Sequence, residues 1–524
     1  MEQPGTSLAE LVRAAARRRP EAPAVVAGEQ RLSWAELDSA VDRAAVGYAA
    51  LELAPGDRVA IQLPNGLNWL RAALGALRAG LVVVPVNTAY TDPELEYVLS
   101  DSGAALFVTG AERSPIAGVP VCAGPPDADG PAPDVAVDAA APSFLAYTSG
   151  TTGRPRGGIL TAAALRANQQ QCLAMTPPPV REDDRVLLVL PLFHVYGLNA
   201  GFGLVAATGA CAVLQETFDP RGSLTLMAEE HVTAVPGAPP MFQAWLAAAD
   251  ALGNDAELRR GFAAMRMASS GAAPLPEDVW AAMRDRAAVT VWEGYGLTEA
   301  APVVASTLVT GRAKPNCIGG PLPGLELELR DTATTEPIAG ALHVEDLDPE
   351  DHLEGPGEIW LRGPNLFAGY WPDGADGPHA DGWLGTGDLA YRDADGDLHL
   401  VDRRSDLILV SGFNVYPAEV ERVLDAHPAV AESAVIGVPD ARTGAAVRAV
   451  VVLRPGERLT FEDLQAHAAE SLARYKVPTS VHFLPSLPHS LTGKVSRARL
   501  RELGLTGDGT GEDMAEETGM VAGG

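Results

Sequence analysis

Apolar residues recur at helical spacing from Leu8 to Arg18, which predicts an amphipathic helix there. The short run Ala24-Val25-Val26 predicts a strand, and Ser33-Trp34-Ala35-Glu36-Leu37 opens a second helix with Ser33 as N-cap and Glu36 at the capping-box position. Residues 57–63 then read as a strand, 69–78 as an Ala/Leu-rich helix and 80–86 as an apolar strand, an order that makes a βαβ unit. The alternation continues through Leu106-Phe107-Val108, residues 185–190, 265–271 and 290–299. A layered α/β domain follows from it. The stretch 123–142, rich in Pro, Asp and Ala, has no period and reads as a surface loop. Beyond Pro323 the texture changes to short alternating segments with Gly/Asp turns, such as Gly357-Glu358-Ile359-Trp360-Leu361-Arg362-Gly363, the pattern of a small β subdomain. From Ser405 to Leu503 strands and helices alternate again, as in Ala434-Val435-Ile436-Gly437-Val438 and Ala449-Val450-Val451-Val452. The expected fold class is thus α/β, with a large multi-layered N-terminal domain (1–404) and a small α+β C-terminal domain (405–503). The Gly- and acid-rich tail, 504–524, is expected to be disordered.

Composition narrows the function classes. The chain has 524 residues, 47% of them hydrophobic, which is ample for a large core and excludes wholesale disorder. A net charge of −29 argues against a nucleic-acid surface, so any polyanionic ligand needs a local basic pocket. Cys122, Cys172, Cys211 and Cys317 form no C-x-x-C pair, which fits reduced thiols and a cytoplasmic location. The N-terminus lacks the apolar core of a signal peptide. The apolar run 186–214 is interrupted by Pro191, His194, Asn199 and several glycines and reads as buried strands and helices rather than a membrane span.

The stretch with the most chemistry is Tyr147 to Gly158, YTSGTTGRPRGG, read as a loop after an apolar strand end. Its glycines permit positive φ and close backbone approach, while Thr148, Ser149, Thr151 and Thr152 add hydroxyl donors, a composition suited to wrapping a polyphosphate. The spacing G-x-x-x-x-G-K-[ST] is absent. This loop resembles the signature [YF]TSGTTGxPKG of the adenylate-forming superfamily of acyl-CoA synthetases, with Arg156 where the family has lysine. Further motifs follow in the family's order, covering nearly all of the chain to about Leu503: GYGLTE at Gly294 to Glu299, GTGD ending at Asp388, DRRSD around Arg403, and LTGKVSR around Lys494.

The resemblance implies a set of roles. Thr148, Ser149, Gly150, Thr151, Thr152, Gly153 and Arg156 would bind ATP phosphates. Gly271, Ala272 and Ala273 would read the adenine edge, with Tyr295 and Gly296 at its face. Thr298 would contact the α-phosphate, and Glu299 with Thr151 would hold Mg²⁺, in keeping with the hard oxygen ligands such an ion takes. Asp388 would accept from the ribose hydroxyls and Arg403 would reach the same nucleotide. His194 would gate the acyl pocket, and Lys494 would stabilise charge as the carboxylate attacks phosphorus. Ser411, Gly412 and Phe413 would line the pantetheine tunnel, and Ser405 would be the hinge about which a mobile C-terminal domain turns between half-reactions. The segment 409–421 looks more like fatty-acyl-CoA ligases than relatives with a second glycine after Gly412. Ala445 stands where glutamate is common.

The resulting expectation is an acyl-CoA synthetase: carboxylate and MgATP give acyl-AMP and pyrophosphate, then CoA gives the thioester and AMP. ATP, Mg²⁺ and CoA are the implied small molecules, a fatty acid the leading substrate, and a homodimer an open option. Two alternatives stand beside it: an acyl-AMP ligase that hands the acyl group to a carrier protein, and a nucleotide-binding homologue with reduced catalysis.

Overall fold

The computed structural model describes residues 7–503 except 112–113, 134, 137, 149–154, 339–355, 404–405, 411–412, 441–442 and 490–494. The chain falls into two compact units. One comprises Met1–Leu327, Trp360–Gly385 and Asp395–Leu398; the other comprises Glu328–Ile359, Thr386–Ala394 and His399–Gly524. The boundary expected at 404/405 and the expected tail both lie outside the described residues.

The first unit opens as its apolar pattern requires. Helix Leu8–Arg18 is closed by a reciprocal Ser7/Glu10 capping box, and helix Trp34–Ala49 by the expected one between Ser33 and Glu36. Each cap satisfies backbone N–H groups that the first helical turn leaves without partners. Two sheets follow. A six-stranded sheet runs in the order Val121–Ala123, Ala104–Thr109, Arg58–Gln62, Val82–Pro85, Pro142–Thr148, Arg156–Thr161. Its pairs are parallel except the last, a hairpin that brings the phosphate-loop sequence back antiparallel. The stretch between Ala123 and Pro142 has no helix or strand among its described residues, and it packs on helix Trp34–Ala49. At Gly47 a Cβ would stand only 2.6 Å from Asp127 N, so the close approach requires glycine.

A nine-stranded sheet carries the second half of this unit, with Met267–Ser270 between Ala234–Gly237 and Val291–Gly296, all parallel. Helices Pro239–Leu252 and Glu277–Ala287 cover it, and Trp245 sits at the centre of their core. Phe218, Phe242 and Phe262 meet the Trp245 ring edge-on at centroid distances of 5.2–5.5 Å. Its indole N–H donates to Ser223 Oγ at 2.8 Å, so the buried donor is satisfied. The suspicious apolar run 186–214 resolves into strand Arg185–Leu188, a π-helical turn Tyr196–Gly203, helix Leu204–Thr208 and strand Cys211–Leu214. Among the described residues no helix is long and apolar enough to cross a membrane.

The short strands expected beyond Pro323 appear as Glu326–Arg330, Gly357–Arg362, Leu384–Arg392 and Leu398–Arg403, in one four-stranded sheet of that order. In the C-terminal part of the second unit, Val430–Asp440 and Gly444–Leu453 form a long antiparallel pair with Ser480–Phe483 parallel beside it. Val420, Leu424, Val435, Ala449, Val451 and Leu464 make its core against helices Pro417–Asp425 and Phe461–Ala469. The fold is therefore mixed α/β with a large N-terminal and a small C-terminal part.

Candidate active site

The phosphate-loop sequence is anchored by a hairpin. Thr148 lies opposite Arg156, Tyr147 opposite Gly157 and Ala146 opposite Gly158. The loop reading of 147–158 is thus corrected at both ends, where strands Pro142–Thr148 and Arg156–Thr161, anchored by the buried Leu145, Ile159 and Leu160, run into the motif. Ser149, Gly150, Thr151, Thr152 and Gly153 lie outside the described residues. Helix Asp92–Ser102 braces the hairpin: Tyr147 Oη donates to Asp101 Oδ2 at 2.6 Å and Tyr97 Oη to the Pro155 carbonyl at 3.0 Å.

Glu299 reaches this hairpin through a tight turn. Strand Val291–Gly296 ends where a Cβ on Gly296 would stand 2.2 Å from the Pro302 carbonyl oxygen, so only glycine lets the chain fold back. Thr298 to Ala300 then form a single 3-10 turn. Thr298 Cγ2 lies 3.7 Å from where a Cβ on Gly158 would be. The Glu299 carbonyl accepts from Phe367 N at 2.8 Å, and its Oε1 accepts from Tyr370 Oη at 2.5 Å.

Tyr370 does not stand out in the sequence. The segment carrying it pairs with the hairpin: Ala368 N donates to Ile159 O at 3.0 Å and Trp371 N to Gly157 O at 2.8 Å. The Arg156 guanidinium carbon lies 3.9 Å from the Tyr370 ring centroid, and Arg156 Nη1 is 2.8 Å from Asp376 Oδ2. Burial, then the Glu299 carboxylate, push the Tyr370 phenol up, while Arg156 and a hydrogen bond with Thr148 pull the other way. The phenol therefore stays protonated and donates. One aromatic side chain thus gathers Arg156 and Glu299. The available signal was the Tyr370-Trp371 pair set between Gly369 and Pro372 in an otherwise turn-rich stretch.

A second group forms at the carboxyl ends of adjacent parallel strands, where open α/β sheets place their ligands. Gly237 is in register with Ser270, and Ser270 with Glu293. A Cβ on Gly271 would come within 3.2 Å of the Tyr196 ring, and Ala272 has φ +72°, a left-handed conformation uncommon for alanine. Ala273 follows in the same loop, and Tyr295 is buried in its strand. Tyr196 Oη donates to Gly237 O at 3.2 Å, and burial pushes its phenol up to about 12. His194 Nδ1 accepts from Tyr196 N at 3.2 Å, which leaves Nε2 to carry the proton of the neutral ring. Sequence reading also passed over Glu293. Its Oε2 accepts from Leu275 N at 3.1 Å, tying the 271–275 loop to the strand, and burial raises its carboxyl to about 7.

The other unit holds Asp388. It is buried within strand Leu384–Arg392. Gly387, at φ +73°, donates its N–H to Glu358 Oε1 at 3.0 Å, and Asp388 N donates to Thr386 Oγ1 at 3.1 Å. Arg403 ends strand Leu398–Arg403 and Phe413 begins strand Phe413–Val415. Ser405, Ser411, Gly412 and Lys494 lie outside the described residues.

A hard carboxylate oxygen and a planar guanidinium held on one ring, beside a glycine-rich hairpin, suit a divalent cation and a phosphate together. Comparison with known proteins points the same way. Residues 12–371 match the family model described as AMP-binding enzyme, and 419–494 match its C-terminal domain. A feruloyl-CoA synthase from Amycolatopsis sp is 38% identical over 497 residues, 93% of this chain and 96% of the relative. A long-chain-fatty-acid–CoA ligase from Yersinia pestis is 34% identical over 95% of this chain and 94% of its own. The structure of o-succinylbenzoate coenzyme A synthetase from Bacillus subtilis, in complex with ATP and magnesium ion, superimposes with a TM-score of 0.80 at 28% identity, covering 96% of this chain and all of the other.

Proposed function

The chain belongs to the adenylate-forming family of AMP-binding enzymes, and on that premise we propose that it is an AMP-forming acid–thiol ligase, an acyl-CoA synthetase whose substrate is a fatty acid. ATP, Mg²⁺ and CoA are its co-reactants. The observation that carries the reading is the convergence of Arg156 and Glu299 on Tyr370, with Thr148 opposite Arg156 in the hairpin and Thr298 next to Glu299.

In the first half-reaction the substrate carboxylate attacks the α-phosphorus of ATP and pyrophosphate leaves. Magnesium, when bound, neutralises phosphate charge, and Glu299 with Thr151 would hold it. Arg156 pairs with phosphate oxygens as a planar fork, alongside Ser149, Gly150, Thr152 and Gly153 of the loop. Thr298 contacts the α-phosphate, Tyr295 and Gly296 flank adenine, and Gly271, Ala272 and Ala273 meet its edge. Asp388 accepts from the ribose and Arg403 reaches the same nucleotide. Lys494 stabilises the charge that builds between carboxylate and phosphate. In the second half-reaction the CoA thiol, entering past Ser411, Gly412 and Phe413, attacks the acyl carbonyl and AMP leaves. A swing of the 405–503 domain about Ser405 separates the two steps, because a lysine placed for the first obstructs the thiol in the second.

His194 and the apolar residues 235–242 form the acyl side, which favours an apolar acid. Tyr196, whose ring stands against Gly271, favours a second reading: a flat aromatic acid, in line with the feruloyl-CoA synthase relative. A panel of carboxylic acids of both kinds, screened for pyrophosphate release with and without CoA, tests the proposal. Release that depends on an acid, with CoA thioester formed in its presence, supports it. Acid-dependent release that never yields a thioester would instead favour transfer to a carrier protein.

A further inference from the structure

We propose that Asp376 competes with nucleotide phosphate for Arg156, and that Tyr370 is the positioning residue on which this exchange takes place. The proposal rests on the reading of Arg156 as a phosphate ligand. Arg156 emerges from the hairpin directly opposite Thr148, at the mouth of the glycine-rich loop. Its guanidinium lies over the Tyr370 ring at 3.9 Å, while Nη1 meets Asp376 Oδ2 at 2.8 Å.

The guanidinium carries two contacts of different kinds. An aromatic ring attracts a cation through its face, whereas a carboxylate or phosphate binds the N–H fork in the guanidinium's own plane. Tyr370 can therefore keep the cation in place while its in-plane partner changes. Asp376 carries one negative charge, and an ATP polyphosphate offers more charge with the same oxygen geometry.

Asp376 is placed there by its loop. Tyr370 N donates to Ala375 O at 2.9 Å and Gly374 N to Tyr370 O at 2.8 Å, which closes a tight turn on the tyrosine. Asp376 follows with φ +53°, a conformation that aspartate tolerates better than most residues. Its side chain is 71% exposed against 33% for Arg156. An ion pair this wet is weak, so phosphate can displace it, yet it must be broken each time ATP engages Arg156. The Glu299 contact with the Tyr370 hydroxyl fixes the ring from the other side. Arg156 supplies the planar fork that makes such a shared position possible.

The test is MgATP binding measured by titration calorimetry on the full-length wild type, Asp376→Asn, Arg156→Ala and the double variant. Asp376→Asn should tighten ATP by about two- to fivefold, the size expected for relief from an exposed ion pair. Arg156→Ala should weaken ATP, and adding Asp376→Asn to it should change nothing further, because the pair no longer exists. A purely structural role for Asp376 would not produce that coupling. Unchanged or weaker ATP binding in Asp376→Asn, or the same gain with and without Arg156, overturns the proposal. Failure of the wild type to bind MgATP would overturn the phosphate-site reading as well, so the two failures are distinguishable.

Discussion

A carboxyl group buried in a strand costs free energy to ionise, and Glu293 is 6% exposed with one oxygen satisfied by Leu275 N. Its folded pKa, raised by burial from 4.5 to about 7, means that the folded chain holds the proton over a pH range in which the unfolded chain has released it. Its contribution to stability is therefore fully present below the unfolded value and lost as pH rises through the folded one. Glu293→Gln keeps an acceptor for Leu275 N without a charge. Between pH 5 and 8 the wild type should lose stability relative to Glu293→Gln by on the order of 2–3 kcal/mol, read from urea unfolding at each pH. Parallel stability curves for the two proteins would show that this carboxyl does not titrate in that window. Residues such as Glu299 and Asp388 stood out in sequence because a resemblance carried them. Glu293 and Tyr370 did not, since their importance lies in what the fold packs beside them.

At the scale of elements, local signals were the legible ones. Ser33 and Glu36 specify a helix start through groups three residues apart, and the capping box is present. The alternation in 57–86 likewise emerges as strand, helix and parallel strand. The extension of strands into the glycine-rich motif was hidden, because the hairpin pairing of Thr148 with Arg156 depends on residues on both sides of the loop. The strand order of the nine-stranded sheet was equally hidden, since neighbours such as Pro23–Ala27 and Cys211–Leu214 lie far apart in sequence. Gly296 shows how an element positions chemistry. A methyl group there would meet the Pro302 carbonyl at 2.2 Å and force apart the turn that presents Thr298 and Glu299. Gly296→Ala should cost about 1–3 kcal/mol in urea unfolding, the range for overpacking, and should weaken MgATP binding in the same protein. A fully stable variant with wild-type ATP affinity would contradict this account of the turn.

At the scale of the whole molecule, the proposed reaction divides into steps that need different groups. Lys494→Ala should lose adenylation by ~10²–10³, the typical loss of one preorganised charge-stabilising group, while synthetic acyl-AMP and CoA still give thioester at near the wild-type rate. Equal impairment of both half-reactions would remove Lys494 from its proposed role. On the proposed reading the chain activates a carboxylic acid as its adenylate and passes it to a thiol. The most direct measurement is a single-turnover experiment in which excess enzyme meets MgATP and an acid chosen from the panel, with acyl-AMP and acyl-CoA followed separately. Acyl-AMP and pyrophosphate should accumulate together before CoA is added, and acyl-AMP should then disappear as acyl-CoA and AMP rise in equal amounts. Thioester formation with release of ADP and phosphate, and without acyl-AMP at any time, would rule out an adenylate mechanism.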